Sequence, residues 1–131
     1  MSNKVAIIAS TGGLFDAYKV FNIATAAAAS EKEVAIFFTF DGLNLIHKQA
    51  MYNLEMPAGK EHFAEGFEKA QVPNIPQLVE VAGELGVKFI ACQMTMDIMG
   101  LSKEDFVTGI EVGGAVTFLE YAKDASPALT F

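Results

Sequence analysis

The sequence has no tryptophan, one cysteine (Cys92), two histidines and no run of basic residues. A single cysteine excludes an intrachain disulfide and any cysteine-based zinc site. A nucleic-acid binder needs a basic stripe to neutralise phosphates, and this chain carries a net charge of −7 with a pI near 4.7. The same acidity argues against docking on anionic membranes. The one apolar stretch near the N-terminus, Val5 to Ala9, stops at Ser10-Thr11-Gly12-Gly13. It is too short for a signal-peptide core, and the segment after it carries Asp16, Lys19 and Asn22, so no membrane span is expected. The expected location is cytoplasmic.

What is present is apolar. Of 131 residues, 52% are hydrophobic and only 19% charged, against a usual charged share of about 25%. That composition excludes a disordered tail. A chain of this length folds as one domain, and with so little charge it is expected to bury part of its surface in a homo-oligomer.

Residues 4–9 read as a strand buried on both faces, and residues 15–29, with Ala24 and Ala26 to Ala29, as a helix. Residues 33–40 give a second buried strand, after which Asp41 is placed to cap a short helix through Leu43, Leu45 and Ile46. Residues 51–76 read as an insertion with one short helix near 60–70. A helix over 76–85 ends at Gly86, and 87–91 form a third strand. Beyond Cys92 come a short helix over 94–99 closed by Gly100, a turn capped by Ser102, and a strand at 110–112. A helix over 115–122 and an edge strand at 128–131 complete the chain. Alternating strands and helices predict an α/β fold, a flavodoxin-like or Rossmann-like three-layer sandwich with a mainly parallel sheet. It spans residues 1–131 as a single domain.

Ligands of such folds bind beyond the carboxyl ends of the strands. Three ends are legible: Ser10-Thr11-Gly12-Gly13, Thr39-Phe40-Asp41-Gly42 and Cys92-Gln93-Met94. Their convergence on one mouth is the expectation. Cys92 stands there between a strand and a helix start, where backbone N–H groups favour thiolate. A buried, inert cysteine is the bland reading of the same position. The turn at Thr11, Gly12 and Gly13 offers backbone donors to an anion, or is simply a tight turn. Asp41 is read as a cap ahead of an acid–base group, and Asp97 as a first-turn acid that stabilises the helix dipole.

Met94, Met96 and Met99 beside Cys92 raise a copper(I) reading, since thiolate and thioether are soft ligands. Met94 and Met96 point about 200° apart on a regular helix, so adaptable apolar walls are the better role. No metal or other cofactor is expected. His47 and His62 are read as surface or packing residues.

The segment Cys92-Gln93-Met94-Thr95-Met96-Asp97-Ile98-Met99-Gly100 resembles the sulfur-relay family typified by DsrE, in the group with a Cys-x-Met-x-Met-Asp-x-Met-Gly pattern. Supporting matches are Phe37-Phe38-Thr39-Phe40-Asp41-Gly42-Leu43 and Gly109-x-Glu111-Val112-Gly113-Gly114. The resemblance implies a sulfur carrier or sulfurtransferase in which Cys92 takes sulfane sulfur as a persulfide or thiosulfonate. It also implies a sulfane-sulfur donor and a thiol acceptor as partners, such as a TusA-like carrier or a rhodanese. The absence of a second cysteine excludes an internal resolving thiol, so the acceptor is external. The expected site is Cys92 with Thr11, Gly12, Gly13, Asp41, Gly42, Gln93, Met94 and Met96 around the substrate.

Other classes fit less well. The glycine patterns of dinucleotide and P-loop sites are absent. A flavin site wants flanking aromatics, and a peroxide-reducing thiol wants a histidine or arginine partner that no pattern marks. The serious alternative is a non-enzymatic interaction module of the same fold, with a structural cysteine.

Overall fold

A computed structural model describes residues 3–131. Five strands form one all-parallel sheet: β1 (Lys4–Ala9), β2 (Glu33–Phe38), β3 (Lys88–Cys92), β4 (Glu111–Gly113) and β5 (Ala128–Thr130), in the order β4-β3-β2-β1-β5. The helices are α1 (Leu14–Ala29), α2 (Phe63–Lys69), α3 (Ile75–Glu84), α4 (Gln93–Met99) and α5 (Ala115–Ala122).

Strand periodicity divides the apolar residues between two faces. Val5, Ile7, Val34, Ile36, Phe38 and Phe89 point toward α1 and α3, where Val20, Phe21, Ala24, Leu78 and Ala82 complete the main core. Ala6, Ile8, Ala35, Phe37, Ile90 and Cys92 point to the other face, which α5 covers with Phe118 and Tyr121. Two helical layers on one sheet make the expected flavodoxin-like sandwich, and both faces being covered explains the unbroken apolar strands.

Local signals account for most boundaries. Asn74 accepts the Gln77 N–H at 2.9 Å while the Gln77 side chain accepts the Asn74 N–H at 2.8 Å, so a reciprocal cap starts α3. Gly86, at φ +84°, stops it.

Three readings need correction. The second strand ends at Phe38 because Phe40 takes a left-handed backbone, φ +48°, and turns the chain into a 3-10 segment over Phe40–Leu45. Asp41 is not its cap: Thr39 holds that position, and no side chain bonds there. Asp97 lies beyond the first turn of α4, where its Oδ1 accepts from Gln93 Nε2 at 2.9 Å.

The 51–76 stretch carries α2, packed on the outer side of α1. Phe63 and Phe67 meet Phe15 at 5.5 and 6.1 Å between ring centroids, and Phe67 stacks on Tyr18 at 4.9 Å. Phe118 stacks on Phe37 at 5.3 Å and is buried in its own subunit. The apolar residues that α5 leaves outside are Val116 and Leu119, 75% and 62% exposed. Among the described residues, no helix is long and apolar enough to cross a membrane.

Candidate functional site

Cys92 is the last residue of β3 and sits immediately before α4. Its neighbour in register on β4 is Gly113. A Cβ at Gly113 would come within 3.2 Å of the Thr117 side chain, so glycine here lets α5 start close beside the cysteine. The thiol is buried, 5% exposed, in the apolar layer under Phe118.

Burial alone would push this thiol up. The polar groups near it outweigh burial: the hydroxyl and N–H of Thr95, the hydroxyl of Thr39 and the N–H of Met94 hold Cys92 below the ordinary thiol value. Thr95 is 0% exposed, the one buried polar side chain among the described residues. Its Oγ1 accepts the N–H of Phe40 at 3.2 Å and lies 3.3 Å from Thr39 Oγ1. The end of β2 is thus tied to the first turn of α4 by these hydroxyls.

The other expected residues fall into two places. Gly12 and Gly42 lock the ends of β1 and β2 together, since a Cβ on Gly42 would collide with the Ala9 carbonyl and one on Gly12 with that of Asp41. Gly12, Gly13 and Asp41 line a separate cavity of about 500 Å³ with Asn44, Asn53 and Glu55, and Cys92 is not among its walls. Two carboxylates there oppose an anion, and the N–H of Leu14 is already used by the Glu55 carbonyl at 2.9 Å. Thr11 is exposed and is not among its walls. The crevice between β1 and β5, where the strand order reverses, is bridged by Ser10, whose Oγ and N–H both donate to the Phe131 carbonyl at 2.9 and 2.7 Å.

On α4 the methionines diverge. Met96 is 3% exposed within the main core, whereas Met94 is 56% exposed. A shared soft-metal site with Cys92 is therefore not formed by this pair. Gln93 is exposed and engaged with Asp97. His47 Nδ1 accepts the N–H groups of Gln49 and Ala50, both at 3.1 Å, which gives it a packing role. Thr39 and Thr95 were not among the expected site residues, although they lie inside two of the three segments that carry the family resemblance. Nothing in sequence says that residues 56 apart share a hydrogen bond.

Fold and site define a three-layer α/β protein with a lone thiol at the end of an inner parallel strand. The sequence profile of the DsrE/DsrF/DrsH-like family matches residues 1–67 and 55–130. The sulfur carrier protein DsrE2 of Allochromatium vinosum is 36% identical over 96% of both chains. The uncharacterized protein YrkE of Bacillus subtilis is 32% identical over 95% of this chain and 94% of its own. The chain belongs to the DsrE/DsrF/DrsH-like family. Its fold is shared with the ychN protein of E. coli, whose crystal structure superposes with a TM-score of 0.73 at 21% identity over all of both chains.

Proposed function

We propose that this protein is a sulfur carrier that loads sulfane sulfur on Cys92 and passes it to an external thiol. The observation that carries this reading is the place of the one thiol of the sequence, at the end of an inner parallel strand and immediately before a helix, where the surrounding polar groups favour its charged form. The kinship with a protein named as a sulfur carrier supports it.

The chemistry balances without a cofactor. Cys92 thiolate attacks the sulfane sulfur of thiosulfate; the S–S bond breaks, its electron pair leaves with sulfite, and a persulfide anion remains on Cys92. With tetrathionate the leaving group is thiosulfate and the product is a thiosulfonate. No second cysteine is present to resolve either adduct, so the sulfur leaves to a thiol of a partner. The burial of Cys92 under α5 restricts access by stray thiols.

The same burial favours a second reading, an interaction module in which Cys92 only packs. Intact-mass spectrometry after exposure to thiosulfate, tetrathionate or polysulfide separates the two. A carrier gains sulfur in the wild type and none in Cys92→Ser. A wild type that stays at its native mass with every donor identifies the module.

A further inference from the structure

Phe15, Tyr18 and Lys19 recur at spacings of three and four on α1, so they share one face of that helix. Phe63, Gly66 and Phe67 repeat the spacing on α2. The two faces, with Val72 just past α2, surround an open cavity of about 430 Å³. Small-molecule sites of roughly 300–1,000 Å³ are likewise mostly apolar and aromatic-walled. Neither Cys92 nor any wall of the cavity at Gly12 and Asp41 belongs to this one. The Tyr18 hydroxyl already donates to the Pro73 carbonyl at 2.9 Å, so the walls offer hydrocarbon surface and one charge, that of Lys19.

Gly66 is the unexpected wall. Glycine inside a helix is unfavourable against alanine, and a Cβ here would meet nothing within 4 Å. Packing within the chain does not call for it. What the missing side chain leaves is space.

The rim is cationic, although the chain has 16 acidic and only nine basic residues. Lys60 Nζ stands 5.7 Å from the centre of the Phe63 ring, and among the described residues no carboxylate pairs with it. Lys19 Nζ reaches Asp16 Oδ1 only at 4.0 Å. Glu65, on α2, is taken up by Lys69 at 3.0 Å.

We propose that this cavity binds an amphipathic monoanion, a carboxylate on a flexible hydrocarbon chain, with the chain over the rings and the carboxylate at the lysine rim. The site is independent of the carrier reading. The rings favour a flexible chain over a flat ligand. Phe67 stacks on Tyr18 at 4.9 Å and lies 6.1 Å from Phe15, which meets Phe63 at 5.5 Å. Each ring is in contact with another, so no pair stands open to sandwich a planar molecule.

Calorimetric titration of the full chain with decanoate, decanol and decyltrimethylammonium tests this. Decanoate is expected to saturate one site per chain and to bind about fivefold tighter than decanol, with the cation weakest. Amide exchange should slow in residues 60–72, where the ligand fixes α2 on α1. Lys19→Gln combined with Lys60→Gln removes the preference for decanoate and leaves decanol within about twofold. Gly66→Leu fills the space and lowers affinity for both by about tenfold or more. Val72→Glu places a carboxylate in the wall and excludes decanoate, which keeps the site testable should Gly66→Leu not fold. Absent decanoate binding, equal affinity for the three molecules, or protection only outside residues 60–72 overturns the proposal. Full affinity in both Val72→Glu and the double lysine variant does the same. If decanoate fails to bind and Val72→Glu breaks up a larger particle in light scattering, the cavity seats a second copy of the chain, and the proposal is wrong.

Discussion

Thr39 and Thr95 stand 56 residues apart in the chain, yet their hydroxyl oxygens lie 3.3 Å from each other. The contact joins the end of β2 to the first turn of α4, and both residues are among the neutral groups that lower the titration of Cys92. The alkylation rate of Cys92 should therefore reach half its plateau below the ordinary thiol value of about 8.5. Neutral donors are little screened, so raising sodium chloride from low to molar concentration should leave that midpoint in place. A midpoint that climbs with salt would point to a charged partner.

The same shift ties folding to pH. The folded thiol is held below its unfolded value, so Cys92 contributes stability that is complete above the unfolded value and lost as pH falls through the folded one. The stability advantage of wild type over Cys92→Ala should grow as pH rises through this window. Urea titrations at several pH values measure it.

Tyr121 shows the opposite sign. Among the described residues its hydroxyl is buried without a partner, and burial, with Glu33 and Asp124 adding repulsion, pushes its titration up to about 12. Lys4 Nζ sits 5.1 Å and Lys88 Nζ 5.9 Å from the ring centre. Because the folded value exceeds the unfolded value near 10, stability falls as pH rises above about 10. Tyr121→Phe removes the orphaned hydroxyl and should be at least as stable at neutral pH, by up to about 1 kcal/mol. Its lead should widen in alkaline melts; a narrowing gap would contradict the assignment.

Two glycines make a controlled pair. Gly42→Ala drives a methyl into the Ala9 carbonyl and should cost about 3 kcal/mol, because backbone on both sides must yield. Gly83, inside α3, has nothing within 4 Å of where an alanine methyl would sit, and should accept that substitution with a gain of about 0.5–1 kcal/mol. Thermal melts of the two variants should move in opposite directions.

The exposed Val116 and Leu119 on α5 are the proposed contact of a homo-oligomer. Light scattering at micromolar concentration should give a particle larger than 14.1 kDa, and Leu119→Glu should shrink it. The interface lies elsewhere if Leu119→Glu leaves the particle intact. Phe118 is a poor probe of this contact, since a charge there unseats its stacking on Phe37.

Local sequence was enough to settle the elements and their class. The short apolar runs at residues 5–9 and 89–92 read as strands covered on both sides. The helix read over 76–85, its glycine stop and the helix over Ala115–Ala122 follow from local propensity, whereas the Asn74 cap that starts α3 at Ile75 was not read from the sequence. Cys92 at a strand end was legible for the same reason, since strand, cysteine and helix start are neighbours in the chain. What surrounds the thiol is settled only by packing between distant segments. A strand of period two says that Cys92 and Phe37 face one way, not which helix covers them. The three strand ends did not converge as one mouth. Gly12 and Gly42 pack backbone against backbone and give β1 and β2 their own cavity, lined by Asp41 and Glu55. The left-handed turn at Phe40 brings its N–H and the Thr39 hydroxyl to Thr95. That arrangement depends on strand order, which places β2 beside β3. Strand order is fixed by how the layers pack, and local sequence carries no record of it.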